Sequence, residues 1–168
     1  MSEEIVIRQT TPPGITLPFS ILLLIINLVA TLYMVGLIWM VQIVHYPLFN
    51  GVGEGSFIAY QKRHQFLITL IVGPPMLIEA FSSLLLVWNP PTGVNNWMIL
   101  AGVGLLLVIW ISTAAIQVPC HNKLLRGFDQ ATHHRLVRSN WIRTAAWTAR
   151  GGFVVWMLVH VLSASTGV

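Results

Sequence analysis

Six histidines occur in this 168-residue sequence, and five of them, His45, His64, His121, His133 and His134, stand at or just beyond the ends of long apolar stretches. Neutral imidazole is a ligand for Zn, Cu, Fe and Ni, and carboxylates extend the choice toward Fe and Mn. The first chemistry to consider is therefore a metal site built from His45, His64, His121 and His134. Glu54 or Asp129 would complete the shell or move protons, and the ion would be Fe, Cu, Mn or Zn. A ligating histidine needs its other ring nitrogen held by an acceptor, and Gln42, Gln117 and Asp129 are placed to serve. Asp129 and His133 are four residues apart on a short expected helix, Asp129–Asn140, so they can touch. That makes His133 the oriented partner and His134 the inward ligand, although the sequence leaves the choice between them open. No HExxH, HxxxH, CxxC or CxxCH motif is present. Bis-histidine haem b, on His45 with His121 or His64 with His134, is the alternative cofactor.

Two further ionisable residues lie inside apolar stretches. Glu79 follows His64 by 15 residues and Arg150 follows His134 by 16. A lone charge at membrane depth is costly and pairing relieves the cost, so a Glu79–Arg150 ion pair is expected, serving as a clasp, a proton relay or a substrate anchor. Pro74-Pro75, one turn earlier, should kink this segment. The run GVGEGS around Glu54 is not a phosphate loop, because it lacks the GxxxxGK[ST] spacing. Cys120, the single cysteine, admits no internal disulfide.

The elements that must position these residues are transmembrane helices. The chain is 55% hydrophobic and 8% charged with mean hydropathy +0.75, against about 25% charged residues in a soluble domain. Four stretches, residues 17–44, 66–88, 97–118 and 144–162, reach or approach the roughly 20 apolar residues that cross a bilayer. They fill one domain, 17–163, between an N-terminal tail 1–16 and a C-terminal tail 164–168. The fold expected is an all-α membrane four-helix bundle with a short interfacial helix in its third loop. No basic run interleaves with aromatics, so nucleic acid is not a partner. The partners expected are the lipid bilayer, a small lipid-soluble substrate, and a second copy or a larger membrane complex. Lys62, Arg63, Lys123, Arg126, Arg135 and Arg138 fall in the first and third loops and none falls in 89–96, which places those two loops in the cytoplasm and both termini outside. The location implied is a bacterial inner membrane.

The two halves look alike. Gln42, His45, Glu54 and His64 are echoed by Gln117, His121, Asp129 and His134, which suggests two helical hairpins repeated about an axis along the membrane normal. In span 1, Asn27, Thr31, Ile38, Gln42 and His45 share one helical stripe. In span 3, Thr113, Gln117 and His121 share another. Asn27, Thr31 and Thr113 read as interhelical hydrogen-bonding residues.

The run VQIVHYPLF, the stretch GPPMLIEA and the block IQVPCH…GFD…H…NWIRT resemble a widespread class of small bacterial four-span membrane proteins of unassigned function, over about Val41–Arg150. In length, span count and polar inner face the chain is more distantly similar to the anthrone-oxygenase-like membrane family. That resemblance implies oxygenation of a polycyclic phenol without an obvious cofactor. It carries no catalytic residue onto this sequence, and the histidine cluster departs from a cofactor-free scheme. The residues point instead to a membrane-embedded, metal-binding oxidoreductase or oxygenase acting on a lipid-soluble substrate. A haem- or pigment-binding accessory subunit and a small transporter using Glu79 and Arg150 are the alternatives.

Overall fold

A computed structural model of the protein describes residues 17–166, so the N-terminal tail lies outside the described residues. The architecture is all-α. Helix α1 (Phe19–Met40) runs on through a π-helical turn, Val41–His45, into a 3-10 turn, Pro47–Gly51. Helix α2 spans Glu54–Trp88. Helix α3 (Asn96–Ser112) passes through a second π turn, Thr113–Gln117, into α4 (Val118–Leu124), and α5 covers Gln130–Thr166. Four of these continuous segments are long and apolar enough to cross a membrane. They form a four-helix bundle in which α1 packs on α2 and α5, and α3 packs mainly on α5. The seam between α2 and α3 is the least extensive. Leu70, Phe81, Leu100 and Ile111 stand exposed around the outside, as lipid-facing side chains do.

Several helices outrun their apolar windows. At about 1.5 Å per residue, the 35 residues of α2 reach about 52 Å, well beyond a hydrocarbon core of about 30 Å. The excess lies at the histidine end. The interfacial helix expected at Asp129–Asn140 is not separate. It is the first third of α5, because no glycine or proline interrupts the run from Gln130 to Ala149 and the helix continues unbroken. The same continuity carries α5 into the expected C-terminal tail. Helix α2 also passes through Pro74-Pro75 without interruption.

The π turns have a visible cause. A proline ring collides with the carbonyl four residues earlier in an α-helix. Pro47 and Pro119 set that conflict at Ile43 and Ala115, the middle residues of the two π turns, where the wider i→i+5 pattern relieves it. At the opposite end, the α2–α3 turn needs Gly93. Its φ is +87°, and a Cβ there would stand 2.8 Å from Ala164 Cβ. Gly151 lets α1 and α5 approach closely, since a Cβ there would meet Val35 at 3.0 Å.

The core divides in two. One apolar cluster, including Met34, Phe49, Phe57, Leu136 and Trp147, lies toward the histidine end. The other, including Leu24, Leu86, Met98 and Val154, lies toward the α2–α3 turn. Between them runs a buried polar belt. Glu79 and Arg150, 0% and 1% exposed, form an ion pair of 3.3 Å between Arg150 Nε and Glu79 Oε1. Thr31 donates to Glu79 Oε1 at 2.7 Å and Trp147 Nε1 to Oε2 at 3.0 Å. Arg150 also donates to Asn27 Oδ1, Ser83 Oγ and the Gly102 carbonyl. Asn27 in turn donates to Ser82 and Ser83. The expected ion pair is formed and tied in on every side.

Candidate functional site

At the histidine end, three imidazoles from three helices converge. The π turn of α1 ends at His45. Gln61 and His64, three residues apart, lie with Phe57 on the buried face of α2. Helix α4 buries Cys120, His121 and Leu124. His45 Nε2 and His64 Nδ1 share a hydrogen bond of 2.9 Å, and the rings of His64 and His121 have centroids 5.4 Å apart. Phe49, returned inward by the 3-10 turn after Pro47, sits among the rings, edge-on to His45 at 5.3 Å and to His64 at 5.1 Å. Tyr60 stacks on His64 from the other side.

The hydrogen bonds at His121 fix its tautomer. The Gln61 amide donates to Nδ1 at 2.9 Å and to the His121 carbonyl at 3.4 Å. The carbonyl can only accept, which orients the amide nitrogen toward it and toward the adjacent Nδ1. Nδ1 is therefore unprotonated, and a neutral ring carries its proton on Nε2. That nitrogen lies 3.0 Å from the Tyr46 oxygen and donates to it. The Tyr46 hydroxyl proton is left free to point elsewhere.

The other expected ligands and orienting groups fall out as follows. His133 is the buried member of its pair and His134 the exposed one, the reverse of the assignment expected from sequence. His133 Nε2 donates to the Tyr46 carbonyl at 2.8 Å, and its ring stacks on Phe49 at 6.1 Å, so Phe49 stands between it and the trio. His134 instead bonds Gln130 on its own helix. Asp129 does not reach His133. It caps α5, accepting from the Thr132 amide at 3.0 Å and from the Thr132 hydroxyl, and it pairs with Lys123 at 2.8 Å. Those bonds, the one from Lys123 first, hold its carboxyl down at about 2. Glu54 is exposed in the first turn of α2, ten residues and about 15 Å along the helix from His64, where it suits the helix dipole rather than the trio.

Gln42 and Gln117 likewise do not orient histidines. Gln42 accepts from Asn140 at 2.9 Å and donates to the Val137 carbonyl, and Gln117 bonds Ser112 and Ser139. Both fasten α5 to its neighbours. Asn27 and Thr31 make the interhelical bonds expected of them, whereas Thr113 bonds the Ile109 carbonyl of its own helix. Gln61, Tyr46 and Phe49 shape the site in their place.

Two apolar-walled openings reach the trio from the side. A groove of about 460 Å³ between α1 and α2 exposes His45 and His64 beside Met40, Arg63 and Ile71. A second cavity, about 360 Å³, opens along the loose α2–α3 seam and ends at Tyr46, His121 and Arg143. Among the described residues, no three His, Cys, Asp or Glu side chains form a ready-made metal cage, and several ring nitrogens of the trio are engaged in hydrogen bonds. One nitrogen is not: His64 Nε2 is buried without a hydrogen-bond partner. The haem alternative asks for two histidines with a ring-sized gap between them. His45 and His64 bond each other directly, Phe49 fills the space among the rings, and His134 faces away. No protein-family model, curated protein or solved structure matches the chain.

Proposed function

We propose that this protein is a membrane-embedded oxidoreductase whose histidine trio, His45, His64 and His121, takes up a transition-metal ion and acts on a lipid-soluble substrate. The carrying observation is the convergence of three imidazoles from three helices between two apolar openings. The unpartnered His64 Nε2 adds a donor that no protein group uses. With Glu54 exposed away from the trio and Asp129 capping α5, the donor set is imidazole with a nearby phenol, which favours copper or iron over manganese. Such an ion, when bound, would supply electron or oxygen chemistry. The chain's own residues do the rest. Gln61 holds the His121 ring in one tautomer, Tyr46 offers a proton beside it, and Phe49 keeps the space among the rings dry. The saturated bonding of Glu79 and Arg150 supports a clasp rather than transport or proton relay. By the distribution of lysine and arginine, the site faces the cytoplasm of a bacterial inner membrane.

Elemental analysis with a visible spectrum, on protein purified in mild detergent without chelator, tests this reading. Near-stoichiometric copper or iron is expected, lost in His121→Ala and retained in Glu54→Gln and His134→Ala. A metal-free protein, or metal indifferent to His121→Ala, overturns it. A colourless, metal-free protein that copurifies with larger subunits would establish an accessory role instead.

A further inference from the structure

Arg143 stands apart from the other basic residues. It is only 6% exposed, it lies on the buried stripe of α5 with Asn140, Trp147 and Arg150, and no carboxylate pairs with it among the described residues. Its Nε has no hydrogen-bond partner, and its guanidinium rests 5.1 Å from the centre of the Trp147 ring. Arg150, one full stripe deeper, has a carboxylate, a hydroxyl, an amide oxygen and a backbone carbonyl around it. Of the two buried guanidiniums on this helix, Arg150 has a carboxylate and Arg143 has only the neutral Tyr46 hydroxyl and the Trp147 face. A buried cation without a counter-charge is costly. Arg143 faces the cavity along the α2–α3 seam, where Gln65 Oε1 is also unpartnered. The Tyr46 hydroxyl, whose proton the His121 tautomer leaves uncommitted, lines the same space. Beyond this polar end, Val72, Met76, Leu77 and Trp110 form an apolar body.

We infer that this cavity binds an amphiphilic anion, with a carboxylate or phenolate head on Arg143 and Tyr46 and an apolar body lying between α2 and α3. The charge of Arg143 selects an anion over a neutral lipid. Its planar fork suits two-oxygen recognition. A volume of about 360 Å³ falls at the small end of ligand pockets and fits a one- or two-ring aromatic acid or a short acyl chain. The head would sit beside His121, so the ligand's role as substrate rests on the redox reading above, whereas its binding does not.

Equilibrium dialysis of radiolabelled 2-naphthoate against protein in phosphatidylcholine nanodiscs tests the inference, with methyl 2-naphthoate as the uncharged competitor. Saturable binding is expected, weakened about tenfold or more in Arg143→Gln, weakened less in Arg143→Lys, which keeps the charge but not the fork, and unchanged in Arg138→Gln. The ester should compete poorly. Should Arg143→Gln fail to fold, Val72→Trp fills the cavity with Arg143 in place and should abolish binding. Absence of saturable binding, equal competition by the ester, or binding indifferent to both variants overturns the inference. Metal content measured on the same preparations separates the two readings. Binding without metal leaves the anion site standing and removes the redox centre, and metal without binding does the reverse.

Discussion

Among single residues, some side chains are bonded on every side within the bundle and others keep polar atoms unpartnered. Glu79 belongs to the first kind. Both of its oxygens are taken, by Thr31, Trp147 and Arg150. Glu79→Leu would orphan a hydroxyl, an indole N–H and a guanidinium together, and the expected loss is about 3–5 kcal/mol. Denaturant-induced unfolding in detergent measures it, and a loss under about 1 kcal/mol would show that the pair does not hold the fold. Bound metal should be unaffected in whatever fraction remains folded, because Glu79 lies about 22 Å along α2 from His64. The pairing with Arg150 was legible in the sequence, since two opposite charges in apolar spans have few other ways to be tolerated. The choice between His133 and His134 was not. Adjacent helical residues point about 100° apart, and only the packing of Leu136 and Asn140 against the other helices fixes which one turns inward. Gln61 and Arg143 were open to detection. Gln61 precedes His64 by three residues, and Arg143 precedes Arg150 by seven on the same stripe. Their lack of local partners is a tertiary fact.

At the level of elements, helix ends and turns make the testable statements. Asp129 caps α5, and its carboxyl is held near 2 against an ordinary value of 3.8, first by the bond from Lys123 and then by those from Thr132. A depressed carboxylate stabilises the folded state above its unfolded pKa and loses that contribution as pH falls through the folded value. The first turns of α5 should therefore exchange amide hydrogens faster as pH drops from 3.8 toward about 2, after correction for intrinsic rates. Asp129→Asn should flatten that dependence. If the two proteins show the same pH profile, the cap is not the cause. At the far end, Gly93→Ala would force a left-handed backbone and press a methyl onto α5. The expected cost is at least about 1–2 kcal/mol, read as a lowered melting temperature in detergent. An unchanged melting temperature would mean that the turn re-forms another way. Helix number and apolar windows were readable from composition and length. The continuity of α5 was not, because the polar segment before residue 144 resembles a loop in hydropathy while its helix propensity is uninterrupted.

Over the whole molecule, the organisation is two apolar clusters separated by a charged belt, with five of the six histidines at one end and His160 at the other. The lysine and arginine of the loops support the proposed cytoplasmic facing of that end. In a Cys120→Ser background, Lys62→Cys should resist a membrane-impermeant maleimide in intact cells and react once the membrane is opened. Thr92→Cys should react in both. The opposite pattern would put the histidine end outside. The likeness of the two halves gains one structural parallel, a proline-relieving π turn near the histidine end of spans 1 and 3. Their histidines nevertheless end in different company. His64 pairs with His45 inside the first half, while His121 takes its partners, Gln61 and Tyr46, from the first half rather than its own.

The Glu79–Arg150 belt also bears on how the protein is made. Span 2 leaves the ribosome long before span 4, so Glu79 enters the bilayer without its counter-charge and must wait there. A charge at mid-span costs about 2.5–3.5 kcal/mol during insertion. The arrival of Arg150 ends that wait and draws α5 against α1 and α3 in one event. A nascent chain lacking its fourth span would therefore present a lone acid in the membrane, which the complete chain covers.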